Sequence, residues 1–303
     1  MEKNIISEIL KLKREKNAYI VAHYYQPLEI QLLADSVGDS FELAKKCVNV
    51  ESDFIIFCGV HFMGESAKIL SPQKRVFVPA EDAGCLMADM ITEEKLMALK
   101  EQYKEAAVVC YINSSARVKA LSTVCCTSSN AEKVVASLPN KQIIFAPDKN
   151  LGSYISKLFP EKEFIFYNGC CPIHERVTAS EVLSMKEKYP SSKILVHPEC
   201  SPEVTLLGDV VGSTSKILSY CESSESDEYI IVTEKAIEER LSHFIPNKKF
   251  HTASEKLLCE NMKKITLEKI YNSLKNGYGE ILLDEETSSK ASIALKRMME
   301  INA

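Results

Sequence analysis

The sequence predicts three similar three-layer α/β domains, with short parallel sheets in a pseudo-threefold arrangement around a central active site. Three observations lead there. Cys85, Cys171 and Cys259 lie 86 and 88 residues apart, and seven residues after each a threonine opens a helical pattern: Thr92, Thr178 and Thr266. Short apolar runs alternate with helical patterns in every third, as strands buried on both faces of a parallel sheet do when joined by crossover helices. One run per third, 60 to 62 residues ahead of its cysteine, ends in a polar pair: His23 and Tyr25, Tyr111 and Asn113, His197 and Glu199. A repeat of this length is a domain-sized unit used three times.

The elements follow in order. The first third opens with an amphipathic helix over about 3–16 and a strand at 18–22. A helix in FELAKKC, a strand at FIIFC (54–58), a helix in GESAKIL and a strand in RVFVP (75–79) complete it. The second third runs KLMALKEQY, AAVVCYI, NAEKVVASL, QIIFA, GSYISKLF and EFIFY; the last runs EVLSMKEKY, KILVH, TSKILSYC, YIIVT, EKAIEERLSHF and KKFH. Three strands per unit are therefore expected. TLEKIYNSLKN, after Cys259, repeats the opening helix a fourth time, and the tail beyond about 272 is expected to pack back on the first unit. The domains are drawn as 1–84 plus 272–303, 85–170 and 171–271.

A chain of 303 residues exceeds the usual size of a single core. With 46% hydrophobic and 26% charged residues its composition is that of a globular protein. A net charge of −5, without any basic run, argues against nucleic-acid binding. The N-terminus lacks the apolar core of a signal peptide, and no run of 18 apolar residues exists, so the protein is expected in the cytosol, away from membranes.

Eleven cysteines are many for such a chain. In a reducing compartment they do not point to disulfides, and there is no C-x-x-C pair to suggest a zinc ribbon. Cys47, Cys58, Cys110 and Cys221 sit inside apolar patterns and read as small core residues. Cys85, Cys171 and Cys259 differ because packing alone does not explain one equivalent thiol per repeat. Each precedes a helix, whose N-terminus favours a thiolate. Soft thiolates select iron–sulfur clusters, zinc or copper(I), and three of them leave a four-iron cluster with one iron lacking a protein ligand.

A hydroxyl stands 17 residues past each strand end: Ser40, Ser128 and Thr214, the last next to Ser213. An ordinary helix N-cap accounts for the residue type. Three helix N-termini facing one cavity would also hold anions. Of the strand-end residues, His23, His197, Glu199, Tyr25 and Tyr111 can hold or move protons, and Asn113 can orient a carbonyl or carboxylate. A glutamate in a closed site can have its pKa raised into a useful range. His174, three residues past Cys171, is either a further site residue or an exposed residue of a first helical turn.

Taken together, AHYYQ with GDS, EDAGCLMADM, YINSSARVKA, CCTSSNA, GCCPIHER, VHPEC, GDVVGSTS and CENMKKITLEKI resemble the quinolinate synthase family. They span nearly the whole chain in the same order and spacing. The resemblance implies three α/β domains with the active site at their junction. It implies a [4Fe-4S] cluster on Cys85, Cys171 and Cys259 whose open iron acts as a Lewis acid. The G-x-C-x-x-H pattern selects Cys171 over Cys170, and Ala253 and Lys256 stand where some members carry extra cysteines. The implied reaction is a transferase step of NAD biosynthesis: iminoaspartate and dihydroxyacetone phosphate give quinolinate, phosphate and two waters. Glu199, Tyr25, His23 and His174 are the expected catalytic residues. Substrate is expected on His23, Ser40, Tyr111, Asn113, Ser128, His197, Glu199, Ser213 and Thr214. An aspartate-oxidising enzyme would be a transient partner that supplies iminoaspartate. The alternatives are another [4Fe-4S] hydro-lyase acting on a small hydroxy-acid, and a non-enzymatic protein with a structural zinc that takes His174 as fourth ligand.

Overall fold

The computed structural model describes residues 2–301, so residues 1, 302 and 303 of the expected first domain lie outside the described residues. The first unit contains α1 (Glu2–Glu15), β1 (Ala18–His23), α2 (Leu28–Leu33), β2 (Ser36–Gly38), α3 (Ser40–Asn49), β3 (Phe54–Cys58), α4 (His61–Leu70) and β4 (Arg75–Phe77). The second contains α5 (Glu93–Gln102), β5 (Ala107–Tyr111), α6 (Ala116–Ala120), β6 (Val124–Cys126), α7 (Ala131–Ala136), β7 (Gln142–Ala146), α8 (Lys149–Ser156) and β8 (Glu163–Phe166). The third contains α9 (Pro172–Glu175), α10 (Ala179–Lys188), β9 (Lys193–Val196), α11 (Pro202–Thr205), β10 (Val210–Val211), α12 (Thr214–Ser223), β11 (Glu228–Val232), α13 (Ala236–Phe244) and β12 (Lys249–Thr252). The tail is α14 (Leu267–Asn276) and α15 (Glu285–Ile301).

Each unit holds a four-stranded parallel sheet, and the strand order is the same in all three: β2-β1-β3-β4, β6-β5-β7-β8 and β10-β9-β11-β12. The periodicity therefore captured three strands per unit and missed β2, β6 and β10. These have only two or three residues, too few for any pattern, and exist because they pair with the last residues of β1, β5 and β9. The central strands are apolar throughout because helices cover both faces; every residue of FIIFC and AVVCY is buried. Each buried Ile or Val there contributes about 1.5–3 kcal/mol.

The three threonines do open helices. The Thr92, Thr178 and Thr266 hydroxyls accept the backbone N–H of Lys95, Glu181 and Lys269, capping α5, α10 and α14. α14 packs on α1 and β3, returning to the first unit. It ends at Gly277, which adopts φ 70° as its C-cap. Gly279, at φ 79°, then lies so close to the Val78 carbonyl that a Cβ would sit 2.1 Å from the oxygen. This approach adds an antiparallel bridge, Phe77 to Glu280, along the edge of β4. α15, expected on the first unit, touches α4 there but packs chiefly on α6 and β6 of the second. Its buried Ala291, Ala294, Leu295 and Met298 join one apolar core running through both units. The third unit keeps two cores of its own, one on each face of its sheet.

Candidate active site

The carboxyl ends of the parallel strands lead into one cavity of about 470 Å³ at the junction of the three units. Its walls carry His23, Tyr25, Ser40, Tyr111, Asn113, Ser128, His174, His197, Glu199 and Thr214, together with Cys85, Cys171 and Cys259. Ser213 is absent from the wall; it is buried and its Oγ accepts the Lys216 N–H, capping α12. Cys170 also lies outside the wall.

The strand ends repeat in detail. The Tyr25 N–H donates to His23 Nδ1 at 3.1 Å, and the Glu199 N–H donates to His197 Nδ1 at 3.3 Å. Burial lowers both imidazoles to about 3, against the opposing pull of Glu199. Both rings are then neutral at pH 7. With Nδ1 accepting, each carries its proton on Nε2 and offers one N–H donor.

Glu199 ties the units together. Its carboxylate accepts from Tyr111 Oη at 2.5 Å and from His174 Nδ1 at 2.8 Å. Burial pushes its pKa up, but the neighbouring imidazoles and the bonds from His174 and Tyr111 outweigh that and hold the carboxyl at about 2. Glu199 is thus an ionised acceptor, and the raised pKa expected for it is not found. In the tautomer that protonates Nδ1, His174 Nε2 accepts from Thr233 Oγ1 at 3.0 Å. Thr233 in turn accepts from Tyr25 Oη at 2.9 Å, which accepts from Thr214 Oγ1 at 3.1 Å. One directed chain therefore runs Thr214–Tyr25–Thr233–His174–Glu199 and meets Tyr111 at its end. Burial raises both tyrosines well above their ordinary value, with Glu199 adding to it, so both are protonated donors. His174 is buried rather than solvent-facing.

The hydroxyls are not caps. Asp39 caps α3 in a capping box with Glu42, and Ser40 is the first helical residue. Ser213 caps α12 and Thr214 follows it. Ser128 lies within a turn closed by Asn130 Oδ1, which accepts the Thr127 N–H at 2.6 Å. Because the neighbours take the capping role, all three hydroxyls can serve the cavity.

The thiols also repeat. A backbone N–H three residues on, from Ala88, His174 and Met262, is directed at Cys85, Cys171 and Cys259 respectively. Burial nonetheless takes Cys85 up to about 12 and raises Cys171 and Cys259. Burial thus overrides the thiolate preference expected of helix N-termini, and only single short turns follow the cysteines: 3₁₀ turns at 88–90 and 262–264, and four-residue α9. Partly buried sulfurs facing N–H donors suit a group that brings its own positive charge. Cys171, His174 and Glu199 also place ligand atoms within 4.8 Å of one another. Hydrogen bonds account for that closeness, His174 Nδ1 lying 3.2 Å from Cys171 Sγ and 2.8 Å from Glu199. A zinc with His174 as fourth ligand would have to break bonds at its ring nitrogens.

Sequence reasoning passed over Thr233, Glu234 and Arg176. Glu234 and Arg176 line the cavity, and Arg176 is the one Arg or Lys on the wall among the described residues. Thr233 and Glu234 directly follow β11, and the signal for them is the end of the third strand in each unit.

Among the described residues, no helix is long and apolar enough to cross a membrane. The family model described as quinolinate synthetase A protein matches residues 7–300. Quinolinate synthase of Clostridioides difficile is 50% identical over 298 residues, 98% of each chain. That of Caldicellulosiruptor saccharolyticus is 52% identical over 295 residues, 97% of each. Quinolinate synthase 2 of Methanosarcina acetivorans is 49% identical over 303 residues, 100% of this chain and 97% of its own. With a family model covering nearly all of it and relatives of this identity along its whole length, the chain belongs to the quinolinate synthetase A family.

Proposed function

We propose that this chain catalyses the quinolinate synthase reaction of NAD biosynthesis, condensing iminoaspartate with dihydroxyacetone phosphate to quinolinate, phosphate and two waters. The observation carrying this is the convergence of one thiol, one strand-end pair and one hydroxyl from each unit on a single cavity, in a chain about half identical to relatives named for that activity. Cys85, Cys171 and Cys259 would hold a [4Fe-4S] cluster, and when bound its open iron supplies a Lewis acid for a substrate carboxylate or hydroxyl.

The chain's own residues have distinct tasks. Both substrates are anions. Ser40 and Thr214, in the first turns of α3 and α12, offer hydroxyls to an anion at those helix N-termini, and Arg176 offers the one Arg or Lys on the wall among the described residues. His23 and His197, donating from Nε2, hold a carbonyl or carboxylate oxygen, and Asn113 orients another. Glu199, ionised and directed into the cavity, takes the proton that carbon–carbon bond formation releases. Tyr25 and Tyr111, held protonated, return protons to departing oxygens. Enclosure on three sides excludes water from reactive imine intermediates. The reaction fits a cytosolic enzyme fed by a transient aspartate-oxidising partner.

The test is anaerobic purification with iron and sulfide analysis, followed by incubation with iminoaspartate generated in situ and dihydroxyacetone phosphate. Quinolinate and phosphate should appear only when both substrates are present. Dehydration of a hydroxy-acid without quinolinate would favour the hydro-lyase reading, and zinc without sulfide would favour the structural one.

A further inference from the structure

The loop after the third strand of each sheet meets its cysteine loop in the same way. Three residues past the ends of β3, β7 and β11, the N–H groups of His61, Lys149 and Lys235 donate to the carbonyls of Ala83, Gly169 and Leu257. Each bond is 2.8 Å long, and each carbonyl lies two residues before a cysteine. The residue just before each donor is Val60, Asp148 or Glu234. Two of the three are carboxylates, and both are fully buried. Glu234 Oε1 accepts the N–H of Cys259 itself at 3.2 Å and a Lys263 Nζ contact at 3.0 Å, while Oε2 accepts the Ala236 N–H at 2.8 Å. Lys263 also donates to the Tyr25 carbonyl at 2.6 Å. Asp148 Oδ1 caps α8 through Asn150 and Leu151 at 2.8 and 2.9 Å, and the Cys171 N–H is directed at the same carboxyl. Its Oδ2 is buried without a closed hydrogen bond. The Cys85 loop has only the apolar Val60 in this place.

We propose that Asp148 and Glu234 are positioning residues that fix the backbones of Cys171 and Cys259 so that both sulfurs are aimed for metal before it arrives, Glu234 also linking its loop through Lys263 to the Tyr25 turn. This deepens the reading of Cys85, Cys171 and Cys259 as cluster ligands and rests on it. A backbone held at the ligand's own N–H by a buried carboxyl cannot swing the sulfur away without giving up that contact, which resists ligand dissociation. The Cys85 loop has no carboxyl in this place and is tied instead through its carbonyls, Gly84 O accepting from Asn261 Nδ2 at 2.9 Å and Asp82 O from Lys264 Nζ at 2.7 Å.

The experiment uses the full chain loaded with its cluster under anaerobic conditions. Loss of visible absorbance is followed after adding a chelator, for the parent, Asp148→Ala, Glu234→Ala and the amide variants Asp148→Asn and Glu234→Gln. Asp284→Ala, which removes an exposed hydrogen bond to the Thr287 N–H at the start of α15, away from the cavity wall, controls for general destabilisation. The alanine variants should lose the cluster about 10-fold or more faster than the parent, as removal of groups that orient metal ligands does. The amide variants, which keep one acceptor oxygen, should show a smaller acceleration, and Asp284→Ala none. Amide exchange over residues 169–172 and 257–260 of the metal-free chain should rise in the variant of the matching loop, and this readout serves with the amide variants if an alanine variant does not fold. Parent-like cluster loss and exchange in all four would overturn the proposal. A parent chain that binds no iron and sulfide would instead overturn the ligand reading on which it rests.

Discussion

Replacing Glu199 by glutamine separates proton transfer from architecture. The carboxylate accepts two charge-assisted hydrogen bonds, from Tyr111 Oη at 2.5 Å and His174 Nδ1 at 2.8 Å. Glutamine can keep its carbonyl toward His174 and turn its amide toward Tyr111, whose hydroxyl is able to rotate and accept. Both contacts survive, but each drops from roughly 1.5–3 to roughly 1 kcal/mol. The lost desolvation cost of a buried charge offsets part of that, so Glu199→Gln should destabilise the fold by about 2 kcal/mol or less. A removed general base costs about 10²–10⁴-fold in rate, or about 2.7–5.5 kcal/mol of barrier. The loss of turnover should therefore exceed what the stability change can explain. The assay is quinolinate formation per iron–sulfide cluster, with thermal unfolding and iron content measured on the same preparation. Turnover within a factor of a few of the parent, with the cluster intact, would refute the argument and make Tyr25→Phe the next variant to measure.

Serine at Cys85, Cys171 or Cys259 should abolish cluster binding, whereas Cys170→Ser should keep it; retention by Cys171→Ser with loss in Cys170→Ser would reverse the assignment. Ser40→Ala and Thr214→Ala should raise the substrate requirement with little effect on melting, because Asp39 and Ser213 do the capping; Ser213→Ala should instead cost about 1 kcal/mol of stability. Acid should destabilise the fold early. His23 and His197 take up protons in the unfolded chain below about pH 6.5 but in the folded chain only near 3, so the unfolded state binds more protons throughout that window. Stability should fall as pH drops from 6.5, by up to about 1.4 kcal/mol per pH unit for each ring. Glu199, held down at about 2, adds a further loss only below its ordinary value near 4.5. Urea midpoints between pH 7 and 5 check this, and the double variant His23→Gln with His197→Gln should flatten the slope.

The repeat was legible because it is written in residue types that chemistry restricts: a thiol, a hydroxyl and a strand-end pair cannot drift far in spacing without leaving the shared axis. The Thr92, Thr178 and Thr266 caps were legible for the same reason. β2, β6 and β10 were not, since two or three residues carry no period and their pairing is decided by the neighbouring strand. The ionisation of Glu199 was misjudged because sequence registers burial but not the two donors that oppose it. Asp148 and Glu234 stayed hidden because Val60 breaks the equivalence in the first unit. The seat of α15 on α6 and β6 depends on a groove formed by two units at once.

That seat divides the molecule unequally. α15 fastens the first two units through a common apolar core, so parting them would wet a large hydrophobic surface. The third unit meets them through the rings of Tyr24 and Tyr25, which pack on one of its cores, and through a set of hydrogen bonds: Ser215 to Asp39, Arg240 to Gln31, Asn150 to the Glu199 carbonyl, and Tyr25 to Thr214 and Thr233. Water can replace such partners at modest cost. A swing that admits anions of substrate size should therefore turn on this polar seam, with the first two units as the fixed jaw and the third as the moving one. A cluster held by Cys85, Cys171 and Cys259 together would join both jaws and limit how far they open.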